Sequence, residues 1–463
     1  MARRALGRVS ASLTPRSLRR AVESGTLEGV RIGDVLHFRG IPYAEARRFG
    51  EPEPPRPWSG TRDASGHGPI CPQSPSRLAV VMGEQEPSAQ AESCLTLSVS
   101  TPGTSERPRP VMVWFHGGAY VIGAGSSEWY RPDALVCEGD VIVVNVNYRI
   151  GVFGYLRIPG VASGHLGLMD QIAALGWVQR NIAAFGGDPS QVTVFGESAG
   201  GHSVAACMST EASQGLFRRA IVQSGHIGLG FLTTARADRV ARTILGLLDG
   251  EDPAKASVER LLLAQQAASA KLAGPAGINS APIFGPIAGI APLPHPARAD
   301  IAEAIVHRGL DLLIGTTREE MRAFFDSNPR LARLRRIPAI GHALVGAVTS
   351  AVTRRVFTTP AQRLADKQAA AGASVYTYAF EWAPQRQAFG ACHTIDLPFV
   401  FGNQTAWRDA PMLGQTPWDR VDLLGREVRR AWTRFARFGD PNADGDPAWA
   451  RHVPKAAPGR RFR

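Results

Sequence analysis

The chain of 463 residues contains no uninterrupted apolar stretch near the roughly 20 residues needed to cross a bilayer. Its richest run, Val111 to Gly125, is broken by His116 and by glycines, so no membrane span is expected. The first 22 residues carry Arg3, Arg4, Arg8, Arg16, Arg19 and Arg20 and no acid. They lack the continuous apolar block of about 7–15 residues found in secretory signals. They read as a basic, disordered arm ahead of a single domain over 23–463, in a cytoplasmic protein. An organelle-targeting peptide has a similar composition and is the lesser reading, on a par with an upstream start codon.

Cysteine is scarce too. Five cysteines in a chain of this length make no disulfide scaffold, and none stands in the CxxC or Cys/His spacing that zinc requires. No metal and no cofactor is called for. Cys71 and Cys94 would close a loop in an oxidising compartment; without an export signal they are expected as thiols. Lysine is almost absent while arginine abounds, so the net charge of +12 reads as a compositional bias rather than a selected phosphate-binding patch. The clusters Arg330 to Arg336 and Arg426 to Arg437 read as solvated helix faces. With no nucleic-acid-binding motif beside them, nucleic acid is not an expected partner.

What is present is a rhythm of short β-type runs alternating with helical patterns, which signals a mostly parallel sheet with helices on both faces. The strand candidates are Val111–His116, Val141–Tyr148, Val192–Gly196, Ala220–Gln223, Leu310–Gly315 and Val375–Trp382. Several are continuously apolar, as strands covered on both sides are. Leu168, Ile172, Leu175, Val178 and Ile182 recur at steps of three and four and lay an apolar stripe along one helix, which Gly186-Gly187-Asp188-Pro189 ends. From about 230 to 308, helices with Gly/Pro breaks (Gly274-Pro275, Pro282, Pro286, Pro292, Pro294, Pro296) interrupt the strand rhythm, an insertion placed to cover the carboxyl ends of the strands.

Two motifs carry chemistry. Gly196-Glu197-Ser198-Ala199-Gly200 follows the apolar run Val192 to Phe195 and precedes a helix-compatible stretch, the context in which GxSxG sets a serine on a tight strand-to-helix turn. His116-Gly117-Gly118-Ala119 follows a second apolar strand, where a loop poor in side chains lets backbone N–H groups approach an oxyanion. Each motif alone is also an ordinary tight turn.

Taken with further segments, the chain resembles the type-B carboxylesterase family, which includes para-nitrobenzyl esterases and cholinesterases. The likeness runs from about Val22 to about Asp440. It rests on Phe38-Arg39-Gly40-Ile41-Pro42-Tyr43-Ala44, Cys71-Pro72-Gln73, Glu92-Ser93-Cys94-Leu95, Asn147-Tyr148-Arg149, Gly167-Leu168-Met169-Asp170-Gln171 and the run Trp177 to Pro189. The resemblance implies an α/β-hydrolase fold and a serine carboxylesterase acting on small-molecule esters through an acyl-enzyme, with carbamate and amide hydrolysis, or a non-catalytic binding role, as the alternatives.

By the same likeness Ser198 is the nucleophile. Gly315-Thr316-Thr317-Arg318-Glu319-Glu320 marks Glu320 as the acid, with Glu319 its rival. Gly390-Ala391-Cys392-His393 marks His393 as the base, and Gly118, Ala119 and Ala199 supply the oxyanion-hole N–H groups. Arg149 with Asp170 and Arg48 with Glu92 resemble structural ion pairs of the family. The departures are Ser93, Thr96 and Ser98 in place of aspartate, tyrosine and asparagine, Met321 where glycine usually follows the acid, and a short stretch from Glu320 to His393 that implies an open gorge. Choline esters are not expected, because the Cys71–Cys94 loop has no Trp, Tyr or Phe to face a quaternary ammonium.

Overall fold

All six apolar runs become strands of one ten-stranded sheet in the structure, a computed structural model that describes residues 18–463 other than 77, 104–106, 274–281, 294–300, 308, 326–328, 339, 386–388 and 446. The strands are β1 Val30–Ile32, β2 Val35–Pro42, β3 Thr96–Thr101, β4 Arg109–Phe115, β5 Ile142–Val146, β6 Gly187–Glu197, β7 Arg219–Gln223, β8 Asp311–Thr317, β9 Val375–Phe380 and β10 Arg460–Phe462. Their spatial order is β1-β2-β3-β5-β4-β6-β7-β8-β9-β10. The pairs from β1 to β5 are antiparallel, and those from β5 to β10 are parallel. This is the α/β-hydrolase architecture, and every residue of β4, β5 and β7 is buried, as the continuous apolar runs require.

The helices needed below are α1 Leu166–Asn181, α2 Ala199–Met208, α3 Pro329–Arg335, α4 Gly341–Thr353 and α5 Trp418–Phe438. Alternate residues of β4 serve opposite faces of the sheet. Val111, Val113 and Phe115 pack with Leu168, Leu175 and Val178 of α1 and Val204 of α2 in one core, while Met112 and Trp114 pack with Val428, Trp432 and Phe435 of α5 in the other. The stripe on α1 ends through a 3₁₀ turn at Gly186, whose φ of 86° is left-handed. Gly187, Asp188 and Pro189 already belong to β6, which is bulged between Gly187 and Val192.

Three expectations change. Arg19–Val22, read as part of a disordered arm, is a strand: it pairs antiparallel with Gly25–Glu28, which pairs parallel with Thr61–Asp63. Backbone pairing, with Arg19 Nε 3.2 Å from Glu28, orders this basic stretch; residues 1–17 lie outside the described residues. Arg429 is not a solvated residue but fully buried, bonded to Glu138, Asp422 and the Phe399 carbonyl. Strands β1, β2, β3 and β10 were not among the six strand candidates. In the insertion, helices Thr234–Leu248 and Val258–Leu272 pack together, and Gln265 of the second accepts a hydrogen bond from Val152 N at 2.8 Å, beyond the carboxyl end of β5. Gly274, Pro275, Pro294 and Pro296 lie outside the described residues.

Candidate active site

Strand β6 runs to Glu197, and α2 begins at Ala199, so Ser198 is the whole of the turn between them. Its backbone takes φ 57° and ψ −120°, a strained conformation for a residue with a Cβ. The strain is held from both sides: Ser198 N donates to the Gln223 carbonyl of β7 at 3.0 Å, and its own carbonyl accepts from His202 N at 2.9 Å. Gly200 lets this turn fit, since a Cβ there would stand 1.9 Å from the Phe115 carbonyl oxygen at the end of β4. The turn thereby lifts the serine, half-buried, out of the sheet's carboxyl edge, while its neighbours Glu197 and Ala199 are buried.

The glycine loop after β4 lies against this serine, with Gly117 so close that a Cβ on it would be 3.2 Å from Ser198 Cβ. Gly118 has φ 113°, and Ala119 and Tyr120 are also at positive φ, 54° and 61°. The loop is pinned at both ends. Tyr148 stacks on His116 at 4.3 Å and donates to its carbonyl at 2.6 Å, and Tyr120 is hydrogen-bonded to His202 Nδ1 of α2 at 2.8 Å. Among the described residues, the backbone N–H groups of Gly118, Ala119 and Ala199 donate no hydrogen bond. Three free donors around one serine suit an oxygen that gains negative charge.

His393 and Glu320 come together. His393 Nδ1 lies 2.6 Å from Glu320 Oε2, and Glu320 Oε1 accepts from Thr317 N at 2.8 Å, so the carboxylate is aimed from the end of β8. Both side chains are buried, and the rings of Phe324 and Phe357 stand 5.2 and 5.3 Å from the imidazole. Glu319 turns the other way: it accepts from Ala391 N and pairs with Arg318 and Arg322. Met321 packs with Phe325, Leu331 and Phe357, and leaves the Glu320–His393 bond intact. The Ser198–His393 hydrogen bond is not made in this structure, for His393 Nε2 has no hydrogen-bond partner. Such bonds commonly tighten only when substrate is bound.

Two acids that sequence reasoning passed over share this site. Glu197 Oε1 approaches His393 Nε2 to 3.1 Å, in contact but without the alignment of a hydrogen bond. Asp396 accepts from Gln223 Nε2 at 2.7 Å, and Gln223 in turn accepts from Trp432 Nε1 of α5 at 3.2 Å. Burial pushes the Glu197 carboxyl up to about 8, against the pull of His393 and with the push of Asp396 and Glu320. Burial likewise raises Asp396 to about 6, opposed by the Gln223 hydrogen bond. Burial alone would favour a neutral His393, but the carboxylates of Glu197, Glu320 and Asp396 outweigh it and hold the imidazole at about 9. A proton is thus shared within a buried cluster, which titrates as a unit. Glu197 was legible as the variable residue just before the serine in GxSxG; nothing in the sequence placed its carboxylate on the imidazole.

Beyond the site, Arg149 and Asp170 form a buried pair at 2.6 Å, and Arg48 Nε lies 2.9 Å from Glu92. Cys71 and Cys94 are buried neighbours, the Cys94 thiol pushed up by its hydrogen bond to Cys71 and by burial.

A serine on a strained strand-to-helix turn, a glycine loop beside it and a carboxylate-bound histidine, all at the carboxyl edge of this sheet, define a hydrolase of the α/β class. The model of the carboxylesterase family matches residues 16–335 and 340–459, and the chain belongs to that family. Among its relatives, a probable N-octanoylanthranilate hydrolase, AqdA2, of Rhodococcus erythropolis is 44% identical over 94% of this chain and 95% of its own. The para-nitrobenzyl esterase of Bacillus subtilis is 36% identical over 91% and 90%. Among solved structures, a thermophilic PNB esterase superposes with a TM-score of 0.81 at 35% identity, covering 93% of each chain. The chain is accordingly a carboxylic ester hydrolase, and no helix among the described residues is long and apolar enough to cross a membrane.

Proposed function

We propose that the chain cleaves small carboxylic esters through an acyl-enzyme on Ser198. His393 Nε2 takes the hydroxyl proton as Oγ attacks the carbonyl carbon; Glu320 holds the ring in the tautomer with Nδ1–H and stabilises the cation that forms. The N–H groups of Gly118, Ala119 and Ala199 receive the oxyanion. The proton then passes to the leaving alkoxide, and a water activated by the same histidine releases the acid. The observation that carries this reading is the 2.6 Å contact between buried His393 and buried Glu320, beside a serine on a turn nothing but an elbow requires. The chemistry needs neither metal nor cofactor, and the cytoplasm remains the proposed location.

Ser198→Ala is expected to abolish turnover of a nitrophenyl ester and covalent labelling by a fluorophosphonate. Retained turnover would remove the serine from the mechanism, and a wild-type protein that takes no label would place the chain among non-catalytic binders. The name of the Rhodococcus relative, an N-acylated aminobenzoate hydrolase, favours a second substrate class for the same residues: N-acyl amides, for which His393 would protonate a leaving nitrogen. Side-by-side rates on octanoyl esters and octanoyl anilides separate the two.

A further inference from the structure

The surface least explained by folding or by this chemistry lies between the acid and the imidazole in the chain. From Ser327 to Ala365 there are seven arginines and not one aspartate or glutamate. Within this span α3 packs on α4, and α4 has no charged residue at all. It buries a single stripe at four-residue steps, Gly341, Val345, Thr349 and Thr353. The neighbouring stripe, Ile340, Leu344 and Val348, is 60%, 46% and 39% exposed, and Leu334 and Ile337 on the approach are 38% and 40% exposed. Single exposed apolar residues are ordinary; five on one helical hairpin form a surface with an affinity of its own. Arg333 and Arg336 at one end, and Arg354 and Arg355 at the other, are exposed beside it.

A second copy of the chain is a poor occupant. Two such faces brought together would juxtapose arginines with no acid from either span to meet them, and like charges across an interface oppose association. An anionic lipid surface satisfies both features, taking apolar side chains at the acyl boundary and guanidinium groups at the phosphates. We infer that the α3–α4 hairpin is a docking element for the surface of an anionic phospholipid bilayer. The same segment carries Phe357, a buried ring 5.3 Å from the His393 imidazole, so the docking element adjoins the cover of the site. That lipid-dissolved esters are then the favoured substrates rests on the esterase reading; the docking does not.

The test is flotation of the full-length Ser198→Ala protein, which cannot alter the vesicles, with phosphatidylcholine vesicles and with phosphatidylcholine–phosphatidylglycerol vesicles. Binding is expected on the anionic vesicles, weaker on the neutral ones, and falling as salt rises. Each arginine near such a surface contributes a factor of about five, so Arg333→Glu with Arg336→Glu lowers the partition coefficient by about 25-fold or more. Leu344→Asp with Val348→Asp removes binding to both kinds of vesicle. The same surface variants with Ser198 intact keep their rate on a water-soluble nitrophenyl ester, which shows that they fold and reports on the esterase reading separately. No flotation, equal binding to both vesicles without salt dependence, or a dimer that Leu344→Asp turns into a monomer while vesicles stay bare, would each overturn the proposal.

Discussion

Glu197→Gln removes the carboxylate that touches His393 Nε2, and its effect can be worked from one distance. At 3.1 Å the attraction between a carboxylate and an imidazolium is about 5 kcal/mol at an effective dielectric constant near 20, and about 1.3 kcal/mol at that of water. Divided by 1.36 kcal/mol per pKa unit, these limits bracket a shift of about 1 to 4 units. The lower half of that range applies, because Glu197, raised to about 8, is mostly protonated at pH 7 and gains its charge only across the window that the limb crosses. The sign follows from the proton's location. A carboxylate beside the imidazole favours the protonated ring, here held at about 9, and the protonated ring is no base. Removing the charge lets the ring lose its proton at lower pH, so the ascending limb of kcat/KM for the free enzyme moves toward acid by about 1 to 2 units. The assay is a pH–rate profile on a nitrophenyl ester, a substrate with no ionisable group, followed at a wavelength where nitrophenol and nitrophenolate absorb equally, with wild type and variant in the same buffers. A limb that stays within about 0.3 unit, or moves toward alkali, refutes the reasoning. The maximal rate is a separate readout, since the isosteric amide leaves a polar group next to Ser198.

Two further outcomes follow from other contacts. Glu320→Gln offers the imidazole an uncharged partner and lets it settle in the wrong tautomer; by comparison with serine proteases kcat is expected to fall by about 10⁴, measured on the same ester, with fluorophosphonate labelling slowed in step. Asp170→Asn leaves Arg149 buried without its charge partner and is expected to cost about 3–5 kcal/mol, seen as a lowered denaturation midpoint with the rate per folded molecule little changed.

Six strands were legible in the order of apolar residues because strands buried on both faces must be largely apolar, and every residue of β4, β5 and β7 is buried. The serine turn was legible for a local reason: the glycines at 196 and 200 exist to let a helix start against the ends of neighbouring strands, and that demand is written in adjacent residues. Glu320 and His393 were legible only as a likeness between segments, since 73 positions separate them and no period or propensity links the two. The likeness also chose Glu320 over Glu319, but what sets the two apart physically is visible only in coordinates: Glu320 meets His393, while Glu319 meets the loop backbone at Ala391.

By itself, then, the order of residues marked six of the ten strands, their apolar character on both faces and the bend that carries Ser198, all of which arise from neighbours within a few positions. Only the tertiary structure decided which charges share the imidazole. Glu197 reaches it from the end of β6, Glu320 from the end of β8, and Asp396 is oriented through Gln223 by Trp432 of α5. Those distances depend on how strands far apart in the chain are ordered side by side, and the Coulomb energy that sets the proton's position depends on those distances and on the burial that packing imposes.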